Sequence, residues 1–242
     1  MGEQQQLRAV LLPGIDGTGK MFAPFVAQLP SWMPAQVISY CEHEALSYRQ
    51  LVNRLQQQLP ADEPFIMIAE SFAGPLALML SERADHNLKA VVLCATFVSN
   101  PRPWLSKLAP LLLHEWLVGI PPRKWMARLF ITGRDAPDSM LEHMFEIHKT
   151  VSPAVIIERL YSVFRVDVRD TLKNCAVPLL HLYGKRDHLI LKYSRDEIQQ
   201  IRPDIASVQI DGPHFLLQTH PGSCMSTISD FLSKNGLAPD SE

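Results

Sequence analysis

Phe65-Ile66-Met67-Ile68-Ala69-Glu70-Ser71-Phe72-Ala73-Gly74 opens as an unbroken apolar run and passes into helical sequence with no linker. The run is short and bounded by turn residues, which reads as a strand buried on both faces. Gly74 to Arg83 continues as a helix. Ser71 stands at the junction, with Ala69 two positions before it and Ala73 two positions after. A sharp strand-to-helix turn of this kind, a nucleophile elbow, projects a hydroxyl clear of the backbone. Backbone crowds both flanking positions, so they must be small. The usual pattern is G-x-S-x-G, and alanine fills both glycine places here. A serine at a helix start can also be a simple N-cap.

Outward from this stretch, short apolar runs alternate with amphipathic segments. Arg8 to Leu12, Gln36 to Tyr40, Pro64 to Ala69, Ala90 to Cys94, Val177 to Tyr183 and Ser207 to Ile210 read as strands. Ser47 to Leu59 places Leu51, Val52, Leu55 and Leu59 at helical spacing. Continuous apolar strands imply coverage on both faces, hence an α/β protein with a mostly parallel sheet and flanking helices. Residues 97–170 differ. They are rich in Pro, Trp, Leu and Met, show helical periodicity at Trp125 to Phe130 and Met140 to Ile147, and carry no convincing strand. The expected organisation is a core of residues 1–96 and 171–242 with a helical insertion, 97–170, over the carboxyl edge of the sheet. Leu237 to Glu242 read as a frayed tail.

Two later turns carry polar groups at the same edge. Tyr183-Gly184-Lys185-Arg186-Asp187 follows one strand, and Asp211-Gly212-Pro213-His214 follows the last. The order Ser71, Asp187, His214 suits nucleophile, acid and base. A serine hydroxyl needs a base within hydrogen-bond reach, and the base needs a carboxylate to hold its tautomer. Asp211 competes with Asp187 for that last role, being near His214 in sequence. After the first strand comes Pro13-Gly14-Ile15-Asp16-Gly17-Thr18-Gly19. Its glycines let backbone N–H groups turn to one point, so the Ile15 amide and the Phe72 amide are the expected oxyanion donors. Gly14 to Lys20 also fits a phosphate loop, but Met21 stands where such a loop needs Ser or Thr.

The first loop G-I-D-G-T-G, the elbow E-S-F-A-G-P and the turn G-P-H-F together resemble the α/β-hydrolase superfamily, in particular a branch of serine esterases with a short helical cap. The resemblance covers nearly the whole chain. It implies an α/β-hydrolase fold, with Ser71 as nucleophile, Asp187 as the acid member and His214 as base. It further implies hydrolysis of a small-molecule carboxylic ester or thioester through an acyl-enzyme, with no cofactor and no metal, and the apolar insertion points to a medium or long apolar acyl group or a hydrophobic alcohol. A binding module with little turnover, or an acyltransferase on the same three residues, would share these motifs.

Composition narrows the partners. The chain of 242 residues carries 23 Lys plus Arg against 25 Asp plus Glu, a net charge of −2. With no basic surplus to neutralise phosphates, nucleic acid is not expected. No apolar run is long enough for a membrane span, and MGEQQQLR has no apolar segment of a secretory signal. Cys41, Cys94, Cys175 and Cys224 form no C-x-x-C pair, which suits buried thiols in a reducing, cytoplasmic setting. Glu142, His143, Glu146 and His148 crowd one stretch, yet the histidines are five apart and do not share a helix face, so a solvated helix is expected. Glu70 is expected as a polar group at the site mouth.

Overall fold

The computed structural model describes residues 6–84 and 86–239. Six strands form one sheet: β1 (Arg8–Leu12), β2 (Ala35–Val37), β3 (Phe65–Glu70), β4 (Leu88–Cys94), β5 (Leu179–Gly184) and β6 (Ala206–Ile210). They pair in parallel in the order β2-β1-β3-β4-β5-β6. Helices α1 (Ala23–Val26), α2 (Tyr48–Leu55) and α3 (Ala73–Ser81) make the first crossovers. After β5 come α11 (Lys192–Ile201), α12 (Leu216–Thr219) and α13 (Pro221–Lys234). Between β4 and β5 lie α4 (Pro103–Ser106), α5 (Ala109–Leu112), α6 (Glu115–Val118), α7 (Lys124–Ala127), α8 (Asp138–Thr150), α9 (Pro153–Arg165) and α10 (Arg169–Asn174).

The alternation within each strand explains why the apolar runs are unbroken. Val10, Leu12, Met67, Ala69, Val91 and Leu93 pack into one core with α2 and α3. Their neighbours Ala9, Leu11, Ile66, Ile68, Ala90 and Val92 pack into a second core, with α13 on the opposite face. Successive side chains point to opposite faces, so a sheet covered twice needs apolar residues at every position. All six residues of β3 are buried, Glu70 among them. The strand order reverses between β1 and β3, and ligands of open α/β sheets bind just beyond the carboxyl ends of strands at such a point.

Several boundaries differ from the sequence expectation. The strand expected at Gln36 to Tyr40 ends at Val37. Beyond Leu12 the partner strand reaches Pro13, which has no N–H to give, and the chain peels away: the Tyr40 amide donates to Gly17 O at 2.7 Å and its hydroxyl to Pro13 O at 3.0 Å. The helix expected over Ser47 to Leu59 is α2 followed by a 3-10 turn, Gln56–Gln58. Short α4 and α5 reflect prolines in their first turns, which start helices but cannot sit in their interiors. The two ends of the segment between β4 and β5 meet where Ser99 bridges Asp167 and the Val168 amide donates to Val98 O at 2.8 Å. Leu237 and Ala238 are no frayed tail: both pack on the second core, and the Leu237 amide donates to Leu232 O at 2.9 Å. Residues 240–242 lie outside the described residues.

Gly184, the last residue of β5, faces the turn that carries His214. A Cβ there would stand 2.5 Å from Pro213 O and 2.6 Å from Gly212 O, backbone atoms that cannot move aside cheaply. Gly184→Ala is therefore expected to destabilise the protein by about 2–4 kcal/mol. Gly222→Ala in α13 meets nothing closer than Gln28 Oε1 at 3.8 Å and is expected to be neutral or slightly stabilising. Urea denaturation of the two variants beside the parent checks the contrast.

Candidate active site

Ser71 leaves β3 with φ 52°, a left-handed conformation that side chains other than glycine adopt only under constraint. The constraint is visible. Its amide donates to Cys94 O at 2.9 Å, and its carbonyl accepts from the Gly74 amide at 3.1 Å and from the Thr96 hydroxyl. A Cβ on Gly74 would lie 2.1 Å from Thr96 Oγ1, so the intolerant small position of this elbow is Gly74 itself. Ala69 and Ala73, which stand in the usual glycine places, are fully buried and tolerated. Ser71 makes no side-chain cap to α3, which sets aside the N-cap reading. Its hydroxyl engages His214 instead.

His214 Nε2 lies 2.9 Å from Ser71 Oγ, and His214 Nδ1 lies 2.8 Å from Asp187 Oδ2. An ionised carboxylate only accepts, so Nδ1 carries the proton and the Nε2 lone pair faces the serine. Asp187 Oδ1 accepts from the amides of Leu189 at 2.8 Å and Ile190 at 2.9 Å. Burial alone would raise the Asp187 pKa. The charge and hydrogen bond of His214, with the two amides, outweigh it and hold the carboxyl below its usual range. For His214, burial would lower the pKa, but Asp187 beside it and Glu70 nearby raise it above 6.5. Asp211 does not compete for the imidazole: its exposed carboxylate lies 3.4 Å from Arg186 Nε.

The loop after β1 stands over this group, with a Gly14 Cβ position 3.9 Å from both Ser71 Cβ and Glu70 Oε2. Among the described residues neither the Ile15 nor the Phe72 amide donates to a protein acceptor. Phe72 is fixed from two sides. Tyr48 stacks on its ring at 4.6 Å and donates its hydroxyl to Phe72 O at 2.8 Å, while Tyr40 lies at 6.1 Å. The loop is fixed by Arg159 of α9, a fully buried guanidinium that sequence reading missed. Arg159 donates to Ile15 O at 2.8 Å, Asp16 O at 2.7 Å and Cys41 O at 2.9 Å. Its signal in the sequence is one arginine on a helix face otherwise made of Val155, Ile156, Ser162 and Val163. With its carbonyls turned to a cation and Lys20 directed to Glu42 at 3.4 Å, the loop is not a phosphate cradle, which needs converging N–H groups.

Glu70 is almost fully buried beneath this loop and borders the cavity above Ser71, a polar group at the site as expected. Its Oε2 accepts from Gln218 Nε2 at 3.0 Å, while among the described residues Glu70 Oε1 and Gln218 Oε1 have no partner. Burial pushes the Glu70 pKa up to about 7; His214 and Gln218 pull against that, and Asp16 adds to it. A cavity of about 140 Å³ opens above Ser71, walled by Ile15, Met21, Pro122, Ile131, Met144 and Phe145. His148 joins this wall and bonds Val118 O at 3.1 Å through Nε2, so the helix expected to be solvated turns one face to the cavity. An open cleft of about 620 Å³ lies on the far side of Pro213 but touches none of Ser71, Asp187 and His214.

The sheet order, the elbow and the polar group beyond the strand ends all belong to one architecture. The chain has the α/β-hydrolase fold. No protein-family model matches it, and no curated protein matches it in sequence. Among solved structures it is similar to a lipase-esterase related protein from Clostridium acetobutylicum, at 17% identity over 96% of this chain and 97% of that chain, with TM-score 0.76. It is similar to the enol-lactonase from Burkholderia xenovorans at 17% identity, 94% and 92% coverage and TM-score 0.77. A hydrolase from Oleispira antarctica aligns at 15% identity, 94% and 91% coverage and TM-score 0.79. At these identities the likeness concerns the fold, and function in this fold resides in the side chains of the site.

Two outcomes follow from the buried charges. Arg159→Met leaves three part-buried carbonyls without their donor and an apolar side chain in place of a buried guanidinium, and is expected to cost about 2–3 kcal/mol in denaturant unfolding. Glu70 has a folded pKa raised above its ordinary value, so its contribution to stability is full below about 4.5 and lost as pH rises through about 7. Glu70→Gln cannot ionise. Its stability relative to the parent is expected to rise by about 3 kcal/mol between pH 4.5 and 8, read from unfolding curves across that range.

Proposed function

We propose that the protein is a serine hydrolase that cleaves a small carboxylic ester or thioester through an acyl-enzyme, with segment 97–170 as a helical cap over the site. The supporting observation is the continuous chain Ser71 Oγ, His214 Nε2, His214 Nδ1, Asp187 Oδ2, with contacts of 2.9 and 2.8 Å. As Ser71 attacks the carbonyl, Nε2 takes its proton, and Asp187 steadies the imidazolium that forms. The Ile15 and Phe72 amides meet the developing oxyanion, held in place by Arg159 on one side and Tyr48 on the other. His214 returns the proton to the leaving alcohol or thiol. It then activates a water that attacks the acyl carbonyl and frees the acid and Ser71.

The cavity suits an apolar acyl or alcohol group. Its volume of about 140 Å³ is close to that of engineered cavities of roughly 150 Å³ that hold benzene. A longer chain must run outward between the cap helices. No group in this scheme requires a metal or cofactor, because nucleophile, base and oxyanion donors are all supplied by the chain.

A fluorophosphonate probe is expected to label Ser71, as located by peptide mapping, and Ser71→Ala is expected to lose about 10³-fold or more in p-nitrophenyl ester turnover. Unlabelled Ser71 or an unchanged rate in the variant overturns the reading. The neutral form of His214 is the base, so kcat/KM is expected to rise with pH through an inflection above 6.5.

A further inference from the structure

The stretch from α4 to α7 exposes an unusual number of large apolar side chains. Trp104, Trp116 and Trp125, three of the four tryptophans in the chain, are 60%, 71% and 59% exposed. Leu111 and Ile120, at 71% and 60% exposed, stand with them on the short helices and turns from α4 to α7. Scattered single apolar residues are normal on a protein surface; this many large ones exposed along one short stretch call for a partner.

The charge of the same stretch is as uneven. Residues 101–134 hold six basic side chains (Arg102, Lys107, Arg123, Lys124, Arg128, Arg134) and one acidic, Glu115. Its charge of +5 contrasts with −2 for the whole chain. Lys124 and Arg128 are partly neutralised by Asp138 and Glu142 of α8, and Arg102 is directed to the carbonyls of His188 and Leu189. Among the described residues Lys107, Arg123 and Arg134 form no ion pair.

We infer that this stretch docks on the surface of an anionic phospholipid bilayer. Tryptophan is the side chain best suited to the headgroup boundary, and lysine and arginine beside it meet anionic lipid. A second copy of the chain is the weaker fit, because a two-fold contact would set each basic patch against its own equal. Among the described residues no helix is long and apolar enough to cross a membrane, so the contact is peripheral. The same stretch contributes to the cavity: Pro122 and Ile131 line its wall, and the exposed α7 residues Trp125 and Met126 stand between them in the chain. Docking by itself does not depend on the hydrolase reading. The delivery of an apolar substrate from the bilayer into the cavity does.

The test is flotation of the full chain with vesicles of phosphatidylcholine alone and of equal parts phosphatidylcholine and phosphatidylglycerol. The parent is expected to float with the anionic vesicles, to release as salt is raised, and to show a blue-shifted tryptophan emission when bound. The variants Trp116→Ser/Trp125→Ser and Lys107→Glu/Arg123→Glu alter exposed side chains, so their melting temperatures are expected to stay at the parent value while binding falls by roughly tenfold or more. Ser71→Ala is expected to bind as the parent does, which separates failure of docking from failure of the hydrolase reading. Absence of binding to anionic vesicles, or binding that both double variants retain, overturns the inference. So does self-association, by sedimentation, that the tryptophan variant abolishes without any vesicle binding in the parent.

Discussion

The backbone at Ser71 is the constraint on which the site is built. A non-glycine residue at φ 52° is held there by the Cys94 carbonyl on its amide and by Gly74 and Thr96 on its own carbonyl. Each partner comes from β4, the turn after it, or the start of α3, so the conformation depends on the parallel pairing of β3 with β4. Ala95, at φ 48°, shows the neighbouring strand end under a similar demand, its amide bonded to Leu182 O at 2.8 Å. Strain of this kind persists only where the surroundings over-determine it.

The second requirement is that polar backbone from distant parts of the chain be held in one place without water. Arg159 meets it by reaching from α9 into the loop after β1 and satisfying three carbonyls with one guanidinium. Its planar fork supplies several donors at fixed angles, which a lysine could not match. The same contact ties the segment between β4 and β5 to the loop beside Ser71. Opposite it, Glu70 and Gln218 form a buried pair with one unpartnered oxygen each, and the unbalanced carboxylate sits close enough to His214 to raise the imidazole pKa. Two carboxylates thus act on one histidine, Asp187 by direct contact and Glu70 through the field.

Much of this was legible in the sequence, for identifiable reasons. The apolar runs of β1, β3 and β4 are unbroken because both sheet faces are covered, so their strands could be read without any partner in view. Ser71, Asp187 and His214 each follow a strand, and a parallel sheet delivers all strand ends to one edge. Asp187 is favoured over Asp211 in the sequence because Tyr183-Gly184-Lys185-Arg186-Asp187 follows a late strand, and the amides of Leu189 and Ile190 and the position of Arg186 agree with that choice. The apolar pattern runs past the end of β2 because Ile38 and Tyr40 are buried in the first core without belonging to the strand. Arg159 is not legible in the sequence, because one charged residue on a mostly apolar helix face carries no meaning until its three acceptors are known.

By itself the sequence determined the fold class, the order of elements and the three side chains that could relay a proton. Those follow from local pattern: periodicity, small residues at a turn, and the placing of polar groups after strands. Tertiary structure alone decided the distances between those groups, the burial and raised pKa of Glu70, the grip of Arg159 on the first loop, and the exposure of three tryptophans. Each of those depends on which distant segments come into contact, and contact between residues far apart in the chain leaves no periodic trace in either segment.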